Sequence, residues 1–92
     1  MPIKVTYTHQ DINEYDSFAE IINCNTVSKI DCSVLKAHQL ISLPNMNFPN
    51  LEEFNCSNNQ LKFITNMNFL NLQYLNCSKN QLRFITSVYF KF

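Results

Sequence analysis

Two adjacent stretches of this chain have nearly the same sequence. Residues 48–68 read FPNLEEFNCSNNQLKFITNMN and residues 69–89 read FLNLQYLNCSKNQLRFITSVY, so the offset is 21 residues without a gap. A self-match at a fixed period of roughly 20–50 residues is typical of stacked repeats, in which each unit buries its apolar side against its neighbours. The sequence therefore predicts a stacked-repeat architecture.

The two copies share apolar residues and one Asn at fixed positions. These are Leu51, Phe54, Cys56, Asn59, Leu61 and Ile64 in the first copy, and Leu72, Leu75, Cys77, Asn80, Leu82 and Ile85 in the second. The pattern L-x-x-L-x-L-x-x-N-x-L, with Cys in its third apolar position, resembles the leucine-rich repeat family, whose period is roughly 20–29 residues. The N-C-S-x-N-Q-L segment is similar to repeats of this family in giant DNA viruses of amoebae and in some bacteria.

This resemblance implies a fold class. We expect an α/β repeat solenoid, a right-handed coil with a short parallel β-sheet on one face and a mostly irregular or 3-10 convex side. Phe54 and Leu75 would then lie side by side on parallel strands. The resemblance also implies that Asn59 and Asn80 are structural turn residues whose amides hydrogen-bond backbone groups of the neighbouring turn.

The polar residues of the two short strands form the candidate binding surface. Apolar and polar residues alternate around Phe54 and Leu75, so one side of each strand points to solvent. Tyr74 is a common type of interface anchor, and solenoids bind extended partners on such faces. The alternative interpretation is a solvated face without a partner. The candidate binding residues are Glu53, Asn55, Ser57, Asn58, Tyr74, Asn76, Ser78 and Lys79.

Residues 27–47 predict a degenerate first repeat, with two possible alignments. The ungapped alignment matches Gln39-Leu40 to Gln60-Leu61 and places Leu35 in the core. The second alignment sets Ile30-Asp31-Cys32-Ser33 on Phe54-Asn55-Cys56-Ser57 and inserts three residues before His38, which places Cys32 in the core. We favour the ungapped alignment, because every position from Gln39 onward is then in register.

The first 26 residues do not fit the repeat and predict an N-terminal cap. Ile3, Val5 and Tyr7 alternate with polar residues, which indicates a short strand. Asp11 followed by Glu14 is typical of a helix start, and apolar residues then recur at helical spacing. We therefore expect an amphipathic helix over residues 11–23 that covers the open end of the stack.

The C-terminal end leaves several outcomes open. Residues 90–92 begin another copy or form a closing strand, and Val88, Phe90 and Phe92 are apolar. The natural protein could continue, or the open edge could pair with another molecule. An exposed apolar edge promotes self-association, so a homo-oligomer through this end is one expectation.

Composition limits the classes of partner. Seven acidic and seven basic residues cancel, with no basic stripe, which argues against nucleic acid and anionic membrane partners. We find no secretory signal and no run of 18 apolar residues, and expect a cytoplasmic or nuclear protein of the source cell or a host cell. Nothing indicates a small-molecule substrate or a cofactor.

The cysteines and histidines predict no catalytic or metal site. Cys56 and Cys77 occupy inward apolar positions, where free Cys acts as a small hydrophobe, while one of Cys24 and Cys32 could be exposed. The cysteines lie too far apart in sequence for a metal cluster. We expect His38 to replace a turn Asn and His9 to lie at the surface. No activating group accompanies any Cys, so we expect no enzyme.

Phe63 and Phe84 recur at the same offset behind Lys62 and Arg83. Outward rings would form a basic and aromatic ridge suited to a protein contact. We favour the alternative, in which both rings pack into the convex side, because burial removes a large apolar area from water.

These observations predict a non-catalytic module for protein–protein interactions. One alternative is a structural or assembly component that self-associates or docks through its C-terminal edge. A further alternative is the targeting fragment of a larger enzyme, such as a ubiquitin-transfer protein.

Overall fold

A computed structural model describes residues 3–33, 40–64 and 70–82. Five strands form one mixed sheet in the order β2-β1-β3-β4-β5. β1 is antiparallel to both β2 and β3, whereas β3, β4 and β5 run parallel. The strands are β1 Ile3–Tyr7, β2 Ile12–Tyr15, β3 Val27–Asp31, β4 Glu53–Asn55 and β5 Tyr74–Asn76, and short 3-10 turns cover Phe18–Glu20 and Cys24–Thr26.

The predicted α/β repeat solenoid with a helical cap is wrong. The fold is a small open sheet of mixed direction, and the described residues contain no α-helix. β1 lies between β2 and β3 and pairs with both. The N-terminal residues therefore extend the sheet with two antiparallel strands instead of shielding the end of a coil.

The predicted helix over residues 11–23 is replaced by β2 and two 3-10 turns. Asp11 does not cap a helix. Its carbonyl accepts a hydrogen bond of 2.9 Å from the Tyr7 amide and closes a tight turn in which Gln10 has a positive φ of 74°. Ile, Tyr, Phe and Asn are mediocre helix formers, whereas pairing with β1 satisfies the backbone of Ile12–Tyr15.

The favoured ungapped alignment of the first repeat is also wrong. β3 pairs with β4 so that Ile30 lies beside Phe54 and Asp31 beside Asn55. Cys32 is fully buried, whereas the competing core candidate Leu35 lies outside the described residues. The three extra residues of the competing alignment therefore fall between Cys32 and Leu40 in the sequence.

The two regular copies lie side by side, as the 21-residue offset predicts for this pair. Phe54 is opposite Leu75 and Asn55 is opposite Asn76 on parallel strands. Below them a single apolar core spans the described parts of the chain. Its fully enclosed members include Val5, Val27, Ile30, Cys32, Phe48, Leu51, Phe54, Cys56, Leu61, Ile64 and Leu72.

A buried asparagine connects the segments that follow the neighbouring parallel strands β3 and β4. The Asn59 amide nitrogen donates to the carbonyls of Cys32, Cys56 and Ser57 at 3.1, 2.9 and 3.2 Å. Its Oδ1 accepts from the Leu40 amide at 2.7 Å. Because buried backbone groups need partners, one side chain here satisfies four of them.

Asn80 repeats these contacts in the segment after β5. Its nitrogen donates to Cys56, Cys77 and Ser78 carbonyls at 3.0–3.1 Å, and its Oδ1 accepts from Leu61 at 2.9 Å. Unlike Asn59, this amide is only partly buried. The same chemistry therefore operates in two environments.

A second pair of asparagines lies in the segments that precede β4 and β5. Asn50 donates from its side-chain amide to the Asn25 carbonyl, and Asn71 donates to the Pro49 carbonyl, both at 2.6 Å. Asn50 and Asn71 are 21 residues apart and occupy equivalent positions. Side-chain amides thus supply donors to backbone carbonyls of the preceding segment.

The turn after each parallel strand needs a left-handed residue. Asn58 has φ 59° and its counterpart Lys79 has φ 55°, in a chain without glycine. Asn tolerates this conformation better than Lys, because a longer side chain gains no local hydrogen bond to offset the steric cost.

Lys79→Asn is therefore expected to stabilise the protein by about 0.5–1 kcal/mol, a part of the left-handed penalty. Urea denaturation measures the change. Lys62→Asn, at an exposed position without positive φ, is the control and should shift stability by less than about 0.5 kcal/mol. Equal effects of the two substitutions would show that the Lys79 backbone carries no strain.

Candidate functional site

Outward side chains from all five strands form two rows, in which every member except Ile12 is polar. Cross-strand register sets the members of each row. Because alternate residues of a strand point to opposite faces, both rows lie on the side away from the core. The first row is Ile12, Thr6, Lys29, Glu53 and Tyr74, and the second row is Glu14, Lys4, Asp31, Asn55 and Asn76. Together they are called the polar face.

The first row combines an ion pair with an exposed aromatic ring. Lys29 Nζ lies 3.1 Å from Glu53 Oε2, and both side chains are about half exposed. Such a pair contributes little to stability, on the order of 0–1 kcal/mol. Tyr74 is next to Glu53 in the row and is 53% exposed. An exposed aromatic ring and two charges thus meet at the surface.

The second row is held by three equivalent turns. Asn55 Oδ1 accepts from the amide and the hydroxyl of Ser57 at 3.1 and 2.8 Å. Asn76 makes the same bonds to Ser78 at 3.1 and 2.8 Å. These bonds engage the Oδ1 atom of each Asn. The NH2 group donates no hydrogen bond among the described residues, so it can donate to a ligand.

Asp31 provides the third of these turns. Its Oδ1 accepts from the amide and the hydroxyl of Ser33 at 3.0 and 2.5 Å. A carboxylate therefore stands in β3 where β4 and β5 carry amides. The second row consequently changes from charged to neutral across the sheet.

A shallow cleft of about 220 Å³ lies in the centre of the polar face. A cleft of this size holds part of a ligand, such as one or two side chains, instead of enclosing a whole small molecule. Its lining residues are Lys4, Thr6, Lys29, Ile30, Asp31, Glu53, Asn55 and Tyr74.

The structure brings together four of the predicted binding residues. Glu53, Asn55, Tyr74 and Asn76 are neighbours in the two rows. Ser57 was expected at the surface but is only 5% exposed, whereas its counterpart Ser78, which makes the same turn contacts beyond β5 at the edge of the described sheet, is exposed. That prediction is wrong.

Ser78, Asn58 and Lys79 are exposed, at the turns beyond the strand ends. Asn58 and Lys79 are the left-handed turn residues described above. They therefore lie beside the polar face and do not belong to either row.

Sequence reasoning missed the six members of the face that β1, β2 and β3 supply. Lys4 and Thr6 alternate with the apolar residues of β1, so the pattern already placed them outward. Lys29 and Asp31 were not predicted as members of the face, because the ungapped alignment of the first repeat does not set them beside Glu53 and Asn55. The D-C-S triplet at Asp31, equivalent to the N-C-S triplets, was the signal for the correct one.

A second cleft of about 170 Å³ lies near the β1–β2 turn. Here the polar groups pair with one another. The Tyr7 hydroxyl donates to the Ile22 carbonyl at 2.9 Å and lies 2.6 Å from the Tyr15 hydroxyl, and burial raises the pKa of Tyr7. His9 is exposed, as expected, and lies 3.1 Å from Asp11. This internal pairing leaves few groups for a ligand.

The cysteines are free thiols that differ in burial. Cys32 and Cys56 are enclosed, and burial raises the pKa of both thiols, that of Cys56 to about 12. Cys24 and Cys77 are half-buried, so the predicted core position is confirmed for Cys56 and only in part for Cys77. The described residues hold no group of three or more His, Cys, Asp or Glu that could bind a metal.

Phe63 does not pack as expected. The residue is 45% exposed, so the prediction that its ring packs into the convex side is wrong. The residue falls between the buried Leu61 and Ile64, whose inward direction sends Phe63 outward. Phe84 lies outside the described residues.

Comparisons with known proteins add no relative. No family model, no curated protein and no solved structure matches this chain. The resemblance to leucine-rich repeats therefore stays a prediction from the sequence. Within the described parts of the chain, we find no helix with the length and apolar character required to cross a bilayer.

Proposed function

We propose that this chain is a non-catalytic protein-binding module that contacts its partner through the polar face. The single observation that carries the proposal is the exposed Tyr74 ring beside the Lys29–Glu53 ion pair, at the edge of an open cleft. Tyr contributes a large contact area with few rotatable bonds, and neighbouring charges give orientation.

Hydrogen bonds to nearby serines hold side chains of the second row in place. Each second-row side chain from β3, β4 and β5 is fixed by bonds to the Ser two residues later. Fixing these side chains before binding lowers the entropy that association costs. The face is therefore pre-organised for a partner, and its openness suits a protein surface better than a small molecule.

The thiols support a non-catalytic role. Cys32 and Cys56 lie in the core with raised pKa values, which holds them as protonated, unreactive thiols. We also propose a cytoplasmic or nuclear setting, because all four cysteines are free and such compartments keep thiols reduced.

Tyr74→Ala is expected to weaken partner binding by about 2 kcal/mol, roughly thirtyfold, as loss of an aromatic anchor does. The partner is first identified by crosslinking and pull-down from the native host cell, and affinity is then measured with the purified pair. The thermal midpoint should change little, because the ring is half exposed in the free protein.

Two further variants sharpen this test. Glu53→Lys should also weaken binding, since it reverses one charge of the Lys29 pair. Ile41→Ala removes an apolar side chain that is 73% exposed and lies outside the polar face, so it should bind like the wild type. Unchanged affinity for both face variants would exclude the polar face as the binding surface.

A further inference from the structure

The charges of the polar face are ordered so that the face complements itself. β3 is the central strand and carries Lys29 in the first row and Asp31 in the second. β4 carries Glu53 in the first row and Asn55 in the second. A basic and an acidic group therefore alternate both along a strand and across the strands.

Two kinds of twofold axis can place this face on the same face of another copy. An axis parallel to the strands places each row opposite the same row of the second copy, with the order of the strands reversed. Because β3 is central, Lys29 then opposes Lys29 of the second copy and Asp31 opposes Asp31. Like charges disfavour this arrangement.

An axis that crosses the strands exchanges the two rows and keeps each strand over its counterpart. Lys29 then opposes Asp31 of the second copy, and the symmetry makes this contact twice. Glu53 opposes Asn55 of the second copy, whose NH2 group can donate to the carboxylate. No position in either row meets a like charge.

We propose that two copies of this chain associate through their polar faces about this second axis. The proposal rests on the proposed function, because it uses the same binding face and names its partner as a second copy. Sheets that pack face to face lie roughly 10 Å apart, a distance that long Lys and Glu side chains can bridge.

The size of the face makes this association weak. Five strands spaced by about 4.8 Å span about 19 Å, and the face is only two outward residues deep. Stable complexes bury about 800 Å² on each partner, which is more than this face offers. The dimer therefore forms at high protein concentration and weakens as ionic strength rises.

Charge-exchange variants followed by sedimentation equilibrium test the proposal. Lys29→Asp alone and Asp31→Lys alone each place like charges at both central contacts, and each should weaken self-association at least tenfold. An equimolar mixture of the two variants restores opposite charges at both contacts. The mixture should therefore associate at least as well as the wild type. Lys62→Asp, outside the face, is the control and should leave association unchanged.

Folding and binding are kept apart in the design. If Asp31→Lys does not fold, Asp31→Asn takes its place in the test. This variant retains the side-chain acceptor for Ser33 and removes the charge, so it should fold and still weaken association. A wild type that stays monomeric at millimolar concentration overturns the proposal, as does a mixture that associates no better than its separate components. Loss of captured partner in Tyr74→Ala, with a monomeric wild type, would leave the proposed function intact and remove only self-association.

Discussion

Replacing Phe54 by Ala is expected to lower the free energy of unfolding by about 3–5 kcal/mol. The ring is fully enclosed in β4 and lies between Ile30 and Leu75 on the flanking strands. Its removal leaves a cavity at the centre of the core, which a rigid sheet cannot close. Small domains are stable by only about 5–15 kcal/mol, so this loss is a large fraction of the total.

Leu75→Ala provides the matched comparison. Leu75 occupies the equivalent position of β5 but is half-buried, so its truncation should cost about 1–2 kcal/mol. Urea denaturation of both variants, with unchanged dependence on denaturant, measures the difference. Equal losses would contradict the unequal burial of the two strands.

Asn59→Ala is expected to cost about 3 kcal/mol, the upper part of the range for leaving buried polar groups without partners. The substitution removes the side-chain partner of the Cys32 and Ser57 carbonyls and of the Leu40 amide, and it leaves the Cys56 carbonyl with the Asn80 amide as its remaining side-chain donor. Water does not reach this site easily, because Asn59 is 3% exposed.

Asn80→Ala removes the same set of bonds in a partly exposed setting. Because water can replace the lost amide there, we expect a cost of about 1 kcal/mol. Thermal and urea unfolding of the two variants give the comparison. A cost for Asn80→Ala as large as that for Asn59→Ala would show that burial does not set the value of these bonds.

The repeat in the sequence predicted local relations well. An offset of 21 residues placed Phe54 next to Leu75 and Asn59 in the same role as Asn80, because equivalent residues on adjacent strands face the same neighbours. Alternation in residues 3–7 likewise predicted β1. These features depend on short segments whose side-chain period is fixed by the backbone.

The errors concern choices between competing local patterns. Residues 11–23 contain apolar residues at helical spacing, yet β1 offers backbone partners that a helix would not use, so β2 forms instead. The ungapped alignment of the first repeat was favoured because its downstream match is long, whereas the D-C-S triplet that supports the alignment with three inserted residues is short. Long-range pairing, which a single sequence does not display, decided both.

For the same reason the sequence predicted only the part of the candidate site that β4 and β5 supply. The residues of β4 and β5 follow from the regular copies, whereas Lys29 and Asp31 depend on the register of β3. The burial of Ser57 likewise depends on its place between neighbouring strands, because Ser78 makes the same turn contacts beyond β5 and is exposed.

The register of β3 against β4 is the relation on which the polar face depends, and nuclear Overhauser contacts measure it directly. We expect cross-peaks that connect the side chain of Ile30 with the Phe54 ring and the Phe54 ring with Leu75. We also expect backbone contacts between β1 and β3 that identify antiparallel neighbours. Contacts of Phe54 with Ser33 in place of Ile30 would contradict the account, because that register removes Lys29 and Asp31 from the two rows.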